Sequence, residues 1–288
     1  MSNLKYSNNL EKTSLKEEDF DFLCRLLEKK SGLMLDVSKT YLVEALLKPL
    51  VQKNKMSSLA DLICEVRRSP SQDLIHEIIA ALTNNETSFF RNWKTFEILK
   101  MTILPELLRK RAGVRELNIW CAACSSGQEA FSIAMLLAED FSGYSNWKIR
   151  IIASDISRKM LDLARQGYFQ EAEMERGLPE NFLKYFTRQG RGWKIDDKIL
   201  SMINFREINL NNPLPDLPVM DIIFMRNVLM YFCPVTKSSL IFNLKKILRK
   251  DGYLILGNTE LLAEKNSPFQ KILIDNSVFY QLQGGVNE

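Results

Sequence analysis

The sequence predicts an α/β fold, with a mostly parallel sheet that carries a small β insertion and follows a small all-helical N-terminal domain. Apolar residues recur at spacings of three and four through the first ~80 residues, the mark of amphipathic helices. From Leu117 onward, short apolar runs alternate with helical patterns, as in βαβ units. Between Gly167 and Leu200 that alternation is interrupted by glycine-rich turn signals.

The helical part, residues 1–83, holds four stripes. Phe20, Leu23, Leu26 and Leu27 form the first, ended by Ser31-Gly32. Tyr41, Leu42, Ala45, Leu46 and Leu50 form the second, and Pro49 inside it is expected to bend or break the helix. Leu59, Leu62, Ile63 and Val66 form the third, ended near Ser69-Pro70; Leu74, Ile75, Ile78, Ile79 and Leu82 form the fourth. Residues 84–116 read as a linker region with a helix from about Lys94 to Lys110, closed by Gly113.

The α/β domain occupies 117–288. Strands are expected at Leu117–Cys121, Ile149–Ser154, Ile203–Glu207, Asp221–Phe224 and Tyr253–Leu256, and helices near Glu129–Ala138, Ser157–Gln166 and Val235–Leu248. Ser277–Leu282 alternates and is expected to add an antiparallel edge. The insertion spans about 168–200. Its Gln189-Gly190-Arg191-Gly192 reads as a hairpin turn into a short strand at Trp193-Lys194-Ile195.

Composition excludes several classes. Apolar content of 46% and charge of 26% suit an ordinary globular protein. No apolar run reaches the ~18 residues of a membrane span, and Met1–Lys16 lacks the apolar centre of a signal peptide. A cytoplasmic protein without membrane insertion, monomeric by default, is expected. Five scattered cysteines are not a disulfide framework, and Cys121-x-x-Cys124 lacks the second pair a zinc site needs, so no metal is expected. The lone histidine, His76, argues against a histidine-dependent hydrolase. Residues 1–83 carry 12 Lys+Arg and 12 Asp+Glu, so the net charge of +4 lies in the later part; that is mild, and nucleic acid is not expected as a partner.

In an open parallel sheet, ligands bind at the carboxyl ends of the strands. Three expected strand ends carry suitable groups. Ala122–Gly127 is a turn whose small residues let the backbone turn tightly and approach a ligand, and Gly127 can take a positive φ. Glu129, just beyond, can accept from an ammonium group. Asp155 can accept both hydroxyls of a ribose, or serve as a helix N-cap. Asn209-Leu210 can read an adenine edge and cover its face. One glycine is not the G-x-G-x-x-G fingerprint, so a dinucleotide is not expected. Upstream, Asn84–Arg91 sets amide, hydroxyl and guanidinium groups on a short aromatic-backed stretch.

The ordered set Asn85-x-Thr87-x-Phe89-Phe90-Arg91, Ala122-x-Cys124-Ser125-x-Gly127-x-Glu129, Ser154-Asp155-Ile156, Asn209-Leu210 and Arg226-Asn227-Val228-x-x-Tyr231-Phe232 resembles the chemotaxis-receptor methyltransferase (CheR) family, from about Phe20 to about Leu282. The resemblance implies a Rossmann-like class I methyltransferase sheet. It also implies transfer of a methyl group from S-adenosylmethionine to glutamates of chemoreceptor cytoplasmic helices, giving methyl esters and S-adenosylhomocysteine. Asn85, Thr87, Arg91, Glu129, Asp155, Asn209 and Leu210 would contact the cofactor, with Ala123 and Gly127 in its turn and Arg226 and Asn227 closing the pocket. Arg91 and Tyr231 would orient the acceptor carboxylate; the plainer readings are a surface ion pair for Arg91 and core packing beside Phe232 for Tyr231.

Where the family often has arginines for substrate docking, this chain has Lys48, Lys53 and Lys55, of which Lys48 and Lys55 share a helix face with Glu44 and Gln52. Ala123 stands where glycine is usual and would crowd the turn. Gln128 stands where glutamate is usual and would remove a charge near the sulfonium. Some members grip a receptor's C-terminal peptide on the β insertion by strand addition; the short turn at Gln189–Gly192 implies that this chain does not. Two other readings stand beside this one: a methyltransferase of the same fold acting on another substrate, and a regulatory module that binds the cofactor without transfer.

Overall fold

A computed structural model describes residues 15–35, 40–69, 71–141, 143, 146–262 and 267–284. The chain divides into two units between Thr83 and Asn84. In the first, α1 (Glu17–Ser31), α2 (Thr40–Lys53), α3 (Leu59–Arg68) and α4 (Gln72–Leu82) bury Leu23, Leu27, Val43, Leu47, Leu62, Ile63, Ile75 and Ile78. Ser58 and Ser71 cap α3 and α4 by accepting the N–H groups of Asp61 and Leu74.

Two expectations fail on α2. Its buried residues are Val43 and Leu47, while Tyr41, Ala45 and Leu46 are exposed. The segment Tyr41–Leu47 is apolar almost all round, so spacing alone allowed two faces and packing chose the other one. Nor does Pro49 break the helix, which continues to Lys53. The N–H that proline lacks would have bonded the carbonyl of Ala45, and both residues lie on the exposed side, where water can take its place.

The second unit opens with one helical run: α5 (Trp93–Ile98), a π-helical stretch (Leu99–Ile103) and α6 (Leu104–Lys110). Pro105 explains the wide turn, because its ring would collide with the carbonyl of Met101 in a regular α-helix. There follow β1 (Glu116–Ala122), α7 (Gln128–Asp140), β2 (Lys148–Asp155), α8 (Arg158–Gln166), β3 (Tyr168–Gln170), α9 (Glu171–Glu175), a 3-10 turn (Glu180–Tyr185), β4 (Phe186–Gln189), β5 (Gly192–Ile195) and α10 (Asp197–Ser201). The run ends with β6 (Ile203–Glu207), β7 (Met220–Met225), a 3-10 turn (Leu229–Tyr231), α11 (Pro234–Ile247), β8 (Leu248–Leu256), β9 (Phe269–Ile274) and β10 (Ser277–Leu282).

Among the described residues the main sheet runs β6-β2-β1-β7-β8-β10-β9, parallel from β6 to β8 and antiparallel beyond. Strand order reverses at β1, whose neighbours are β2 and β7, and this sets a crevice at the carboxyl ends of β1 and β7. Ser277–Leu282 is not the edge that was expected. It lies between β8 and β9, and the edge is Phe269–Ile274. The two strands form a hairpin about Asp275 and Asn276, at φ 47° and 62°, a left-handed pair that Asp and Asn tolerate. The edge strand escaped the sequence because half of it faces solvent, with Leu273 exposed.

β8 starts at Leu248, earlier than the expected Tyr253. The turn-prone Lys250-Asp251-Gly252 is held in the strand, since Asp251 takes both arms of the Arg111 guanidinium at 2.7 and 3.0 Å. Arg111 Nε also donates to Asp221 at 2.7 Å, and Asp221, fully buried, accepts the Asn118 N–H at 2.8 Å. This network closes the amino ends of β1 and β7.

The insertion is a separate antiparallel sheet, β3-β5-β4. Phe89 packs edge-on against Phe169 (4.9 Å between centroids) and Phe186 (5.5 Å), and Phe90 stacks on Phe182 at 4.5 Å. The paired phenylalanines before Arg91 thus seat the insertion. The Phe90 N–H also donates to Ser132 on α7 at 2.9 Å, which fixes where Arg91 leaves the core.

Candidate active site

The turn from β1 into α7 contains three residues in the left-handed region: Ala123 (φ 57°), Ser125 (φ 51°) and Gly127 (φ 89°). At Gly127 a Cβ would come within 2.9 Å of the Phe131 ring and 3.1 Å of Ala164 Cβ, so glycine serves both the turn and the packing of α7 on α8. Ala123 tolerates its conformation at a cost of about 1–2 kcal/mol.

Asp155 ends β2 beside this turn. Its Oδ2 accepts the Ser125 N–H at 2.8 Å and its Oδ1 the Ser157 N–H at 2.9 Å. The N-cap of α8 is Ser157, whose hydroxyl accepts the Met160 N–H. Burial pushes the Asp155 carboxyl up, opposed by hydrogen bonds from the Ser157 and Ser125 backbone. With the Ile156 backbone also contributing, the carboxylate still has acceptor capacity for a further donor. The Ile208 N–H donates to the Asp155 carbonyl at 3.1 Å, which draws Asn209 and the buried Leu210, beyond β6, to the same strand ends. Asn209 Oδ1 accepts the Asn211 N–H at 3.0 Å. Ser125, which the sequence places in the motif without a role of its own, donates its hydroxyl to the Asn85 carbonyl at 2.8 Å, so the β1–α7 turn and the Asn85–Arg91 segment are one structure. Asn85 and Thr87 are both half-buried there.

Arg226, just past β7, joins the remaining pieces. Nη1 donates to Glu129 Oε2 at 2.9 Å and Nη2 to the Arg91 carbonyl at 2.6 Å, while the guanidinium carbon lies 5.7 Å from the centre of the Phe96 ring. Burial pushes the Glu129 carboxyl up, and Arg226 opposes that. Arg91 Nη1 donates to the Glu86 carbonyl at 3.1 Å; the side chain is half-buried.

Asn227 adopts φ 58°, and its N–H donates to Glu260 Oε2 at 2.6 Å. The same carboxylate accepts the N–H groups of Gly257 at 2.8 Å and Met230 at 3.3 Å. A Cβ at Gly257 would lie 2.8 Å from both the Asn227 amide and the Glu260 carboxylate. Sequence reading missed the buried Glu260, although an acidic residue just past an apolar strand is the signal that found Asp155. Tyr231 is half-buried, and its hydroxyl accepts from Asn84 Nδ2 at 3.0 Å, so the ring is not sealed in the core beside the buried Phe232.

Gln128 is buried and turned away from these groups. Its Oε1 accepts from the Ser126 hydroxyl at 2.9 Å and its amide donates to Glu173 of the insertion at 3.3 Å. Cys121 and Cys124 are buried free thiols, held well above the ordinary thiol range first by burial. Lys48, Lys53 and Lys55 belong to the helical unit; all three are exposed, and Lys53 pairs with Glu77.

Comparison with known proteins identifies the family. Residues 85–278 match the CheR methyltransferase SAM-binding domain and residues 18–83 the CheR methyltransferase all-alpha domain. Chemotaxis protein methyltransferase 1 of Vibrio cholerae is 37% identical over 274 residues, 94% of this chain and 98% of that protein. Chemotaxis protein methyltransferase Cher2 of Pseudomonas putida is 35% identical over 268 residues, 91% of this chain and 97% of that protein. Among solved structures, a TehB-like SAM-dependent methyltransferase from Corynebacterium glutamicum aligns with a TM-score of 0.36 at 11% identity, over 66% of this chain and 92% of that one, too loose a match to add weight. The chain belongs to the CheR family of S-adenosylmethionine-dependent chemotaxis methyltransferases.

Proposed function

We propose that the methyl acceptors are glutamate side chains on the cytoplasmic helices of chemoreceptors, and that the products are glutamate methyl esters. The observation that carries this reading is a site with hydrogen-bond donors for a carboxylate, Arg91 and Tyr231, in a chain whose one histidine lies in the other unit. A glutamate, with a pKa of roughly 4, is ionised at neutral pH and needs no general base.

The donor set fits S-adenosylmethionine. Glu129 offers a carboxylate for an ammonium group, Asp155 two acceptor oxygens for a diol, and Asn209 with Leu210 an amide and an apolar cover for adenine. Asn85 and Thr87 flank this set, Ala123 and Gly127 shape its turn, and Arg226 and Asn227 close it from the β7 side. When bound, the cofactor supplies a methyl group on a sulfonium, which a carboxylate oxygen can take while the sulfur keeps the electron pair. The residues of this chain supply alignment. Arg91 directs guanidinium donors, and Tyr231 a hydroxyl, at the acceptor carboxylate, and both must orient it without quenching its lone pairs. Lys48, Lys53 and Lys55 draw the acidic receptor helices by charge. The enzyme works as a monomer from the cytoplasmic side; among the described residues no helix is long and apolar enough to cross a membrane.

The test is transfer of labelled methyl groups to purified receptor cytoplasmic fragments. Label released by mild alkali, as from carboxyl esters, and lost when the receptor glutamates become alanine is expected. Alkali-stable label would overturn the acceptor assignment, and cofactor binding without transfer would favour the regulatory reading. Arg91→Ala should lower the rate more than Tyr231→Phe, with Tyr231→Phe binding cofactor normally.

A further inference from the structure

We propose that Asn84 is a positioning residue that fixes the direction in which Tyr231 donates its hydroxyl hydrogen. This rests on the reading of Tyr231 as a donor to the acceptor carboxylate. Asn84 lies outside the motif that begins at Asn85.

Two contacts define the arrangement. Asn84 Oδ1 accepts the Glu86 N–H at 3.1 Å, and Asn84 Nδ2 donates to the Tyr231 hydroxyl oxygen at 3.0 Å. The first removes the ambiguity of the amide. A backbone N–H can only donate, so the end of Asn84 facing Glu86 is its oxygen and the end facing Tyr231 is its nitrogen. That nitrogen in turn can only donate. The phenol oxygen therefore accepts from Asn84, and its own hydrogen must point elsewhere.

A phenol hydrogen lies near the ring plane, on one side of the oxygen or the other. With one side held by Asn84, the hydrogen is biased to the opposite side. Tyr231 sits on the 3-10 turn Leu229–Tyr231, five residues past Arg226, and is half open to solvent. A hydroxyl so held meets an incoming carboxylate already set as a donor, and its rotation need not be frozen at the moment of reaction. Asn84 is exposed, so its bonds contribute little to folding and variants there should fold.

The informative variant is Asn84→Asp. It keeps the shape and the acceptor for the Glu86 N–H, but it presents an oxygen where the amide nitrogen stood. The phenol hydrogen would turn toward the new carboxylate and be lost to the substrate. Asn84→Ala frees the hydroxyl without reversing it and should be milder. For Asn84→Asp, kcat should fall on the order of 10- to 100-fold, the worth of one hydrogen bond to a charged group. KM for S-adenosylmethionine and the melting temperature should not move. In a Tyr231→Phe background the same change should have no further effect.

The outcomes separate the two ideas. Tyr231→Phe at the parent rate would overturn the reading of Tyr231 and the proposal with it. A slowed Tyr231→Phe beside an unaffected Asn84→Asp would overturn the proposal alone. So would an equal loss from Asn84→Asp in both backgrounds, since Asn84 would then act independently of Tyr231.

Discussion

Replacing Asp155 with asparagine tests the centre of the proposed site, because the same side chain has a structural use and a proposed ligand-facing one. The change preserves shape and replaces one oxygen with an NH2 group. Each oxygen now accepts one backbone N–H, from Ser125 at 2.8 Å and Ser157 at 2.9 Å. In the variant one of those N–H groups would face a donor and lose its partner, at about 1–3 kcal/mol, and the surviving bond would lose its charge assistance, at about 1 kcal/mol more. Relief from keeping a carboxylate ionised while buried offsets part of that, leaving a loss of about 2 kcal/mol, well within the 5–15 kcal/mol typical of a domain. For the cofactor, losing a ribose acceptor should cost about 1–3 kcal/mol, or roughly 5- to 150-fold in affinity. The assay is calorimetric titration of parent and variant with S-adenosylhomocysteine and with its 2′-deoxy analogue. The parent should discriminate between the two ligands and Asp155→Asn should not. If the variant discriminates as well as the parent, the ribose assignment is wrong and Asp155 only anchors the turn.

Further outcomes are expected. Asp221→Ala strands the buried Arg111 and Asn118 donors, so it should cost about 3–5 kcal/mol and lower the melting temperature on the order of 10 °C, with cofactor affinity unchanged because the network lies at the amino ends of the strands. Ala123→Gly removes left-handed strain and should stabilise the protein by about 1 kcal/mol in chemical denaturation. Glu129, raised first by burial, must be ionised to hold an ammonium group; cofactor affinity should therefore fall with decreasing pH sooner than for a free glutamate near ~4.3, and Glu129→Gln should remove that dependence in titrations across pH. Reversing Lys48, Lys53 and Lys55 to glutamate should raise the apparent Michaelis constant for receptor and alter its salt dependence, while a receptor C-terminal pentapeptide should show no micromolar binding by calorimetry.

The helices were legible by their period, as in Leu74–Leu82, and the parallel strands as short, nearly continuous apolar runs, as in the wholly buried Met220–Met225. What failed locally were places where tertiary contacts decide. The turn-like Lys250-Asp251-Gly252 becomes strand because Arg111 holds Asp251, and α2 turns Val43 inward although Tyr41 and Leu46 fit the spacing as well. The strand at Phe269–Ile274 could have been read from Asp275-Asn276 as a two-residue hairpin turn. The site was legible as a set of motifs but not as a set of bonds. Nothing in the spacing says that Arg226 reaches Glu129, that Ser125 reaches Asn85, or that Asn84 reaches Tyr231.

Gln128 gives the β insertion a claim on the turn that precedes it. Its amide donates to Glu173, and the other oxygen of Glu173 already accepts the Gln170 N–H at the start of α9. Placing glutamate at 128 would set two carboxylates against each other across a partly buried contact, where like charges are less screened than in open solvent. The two positions are therefore not free to vary separately. Gln128→Glu should be harmful alone and tolerated beside Glu173→Gln, the sign of an epistatic pair. A change at one of them is felt at the other, so the first turn of α7 and the β insertion are coupled through this one contact.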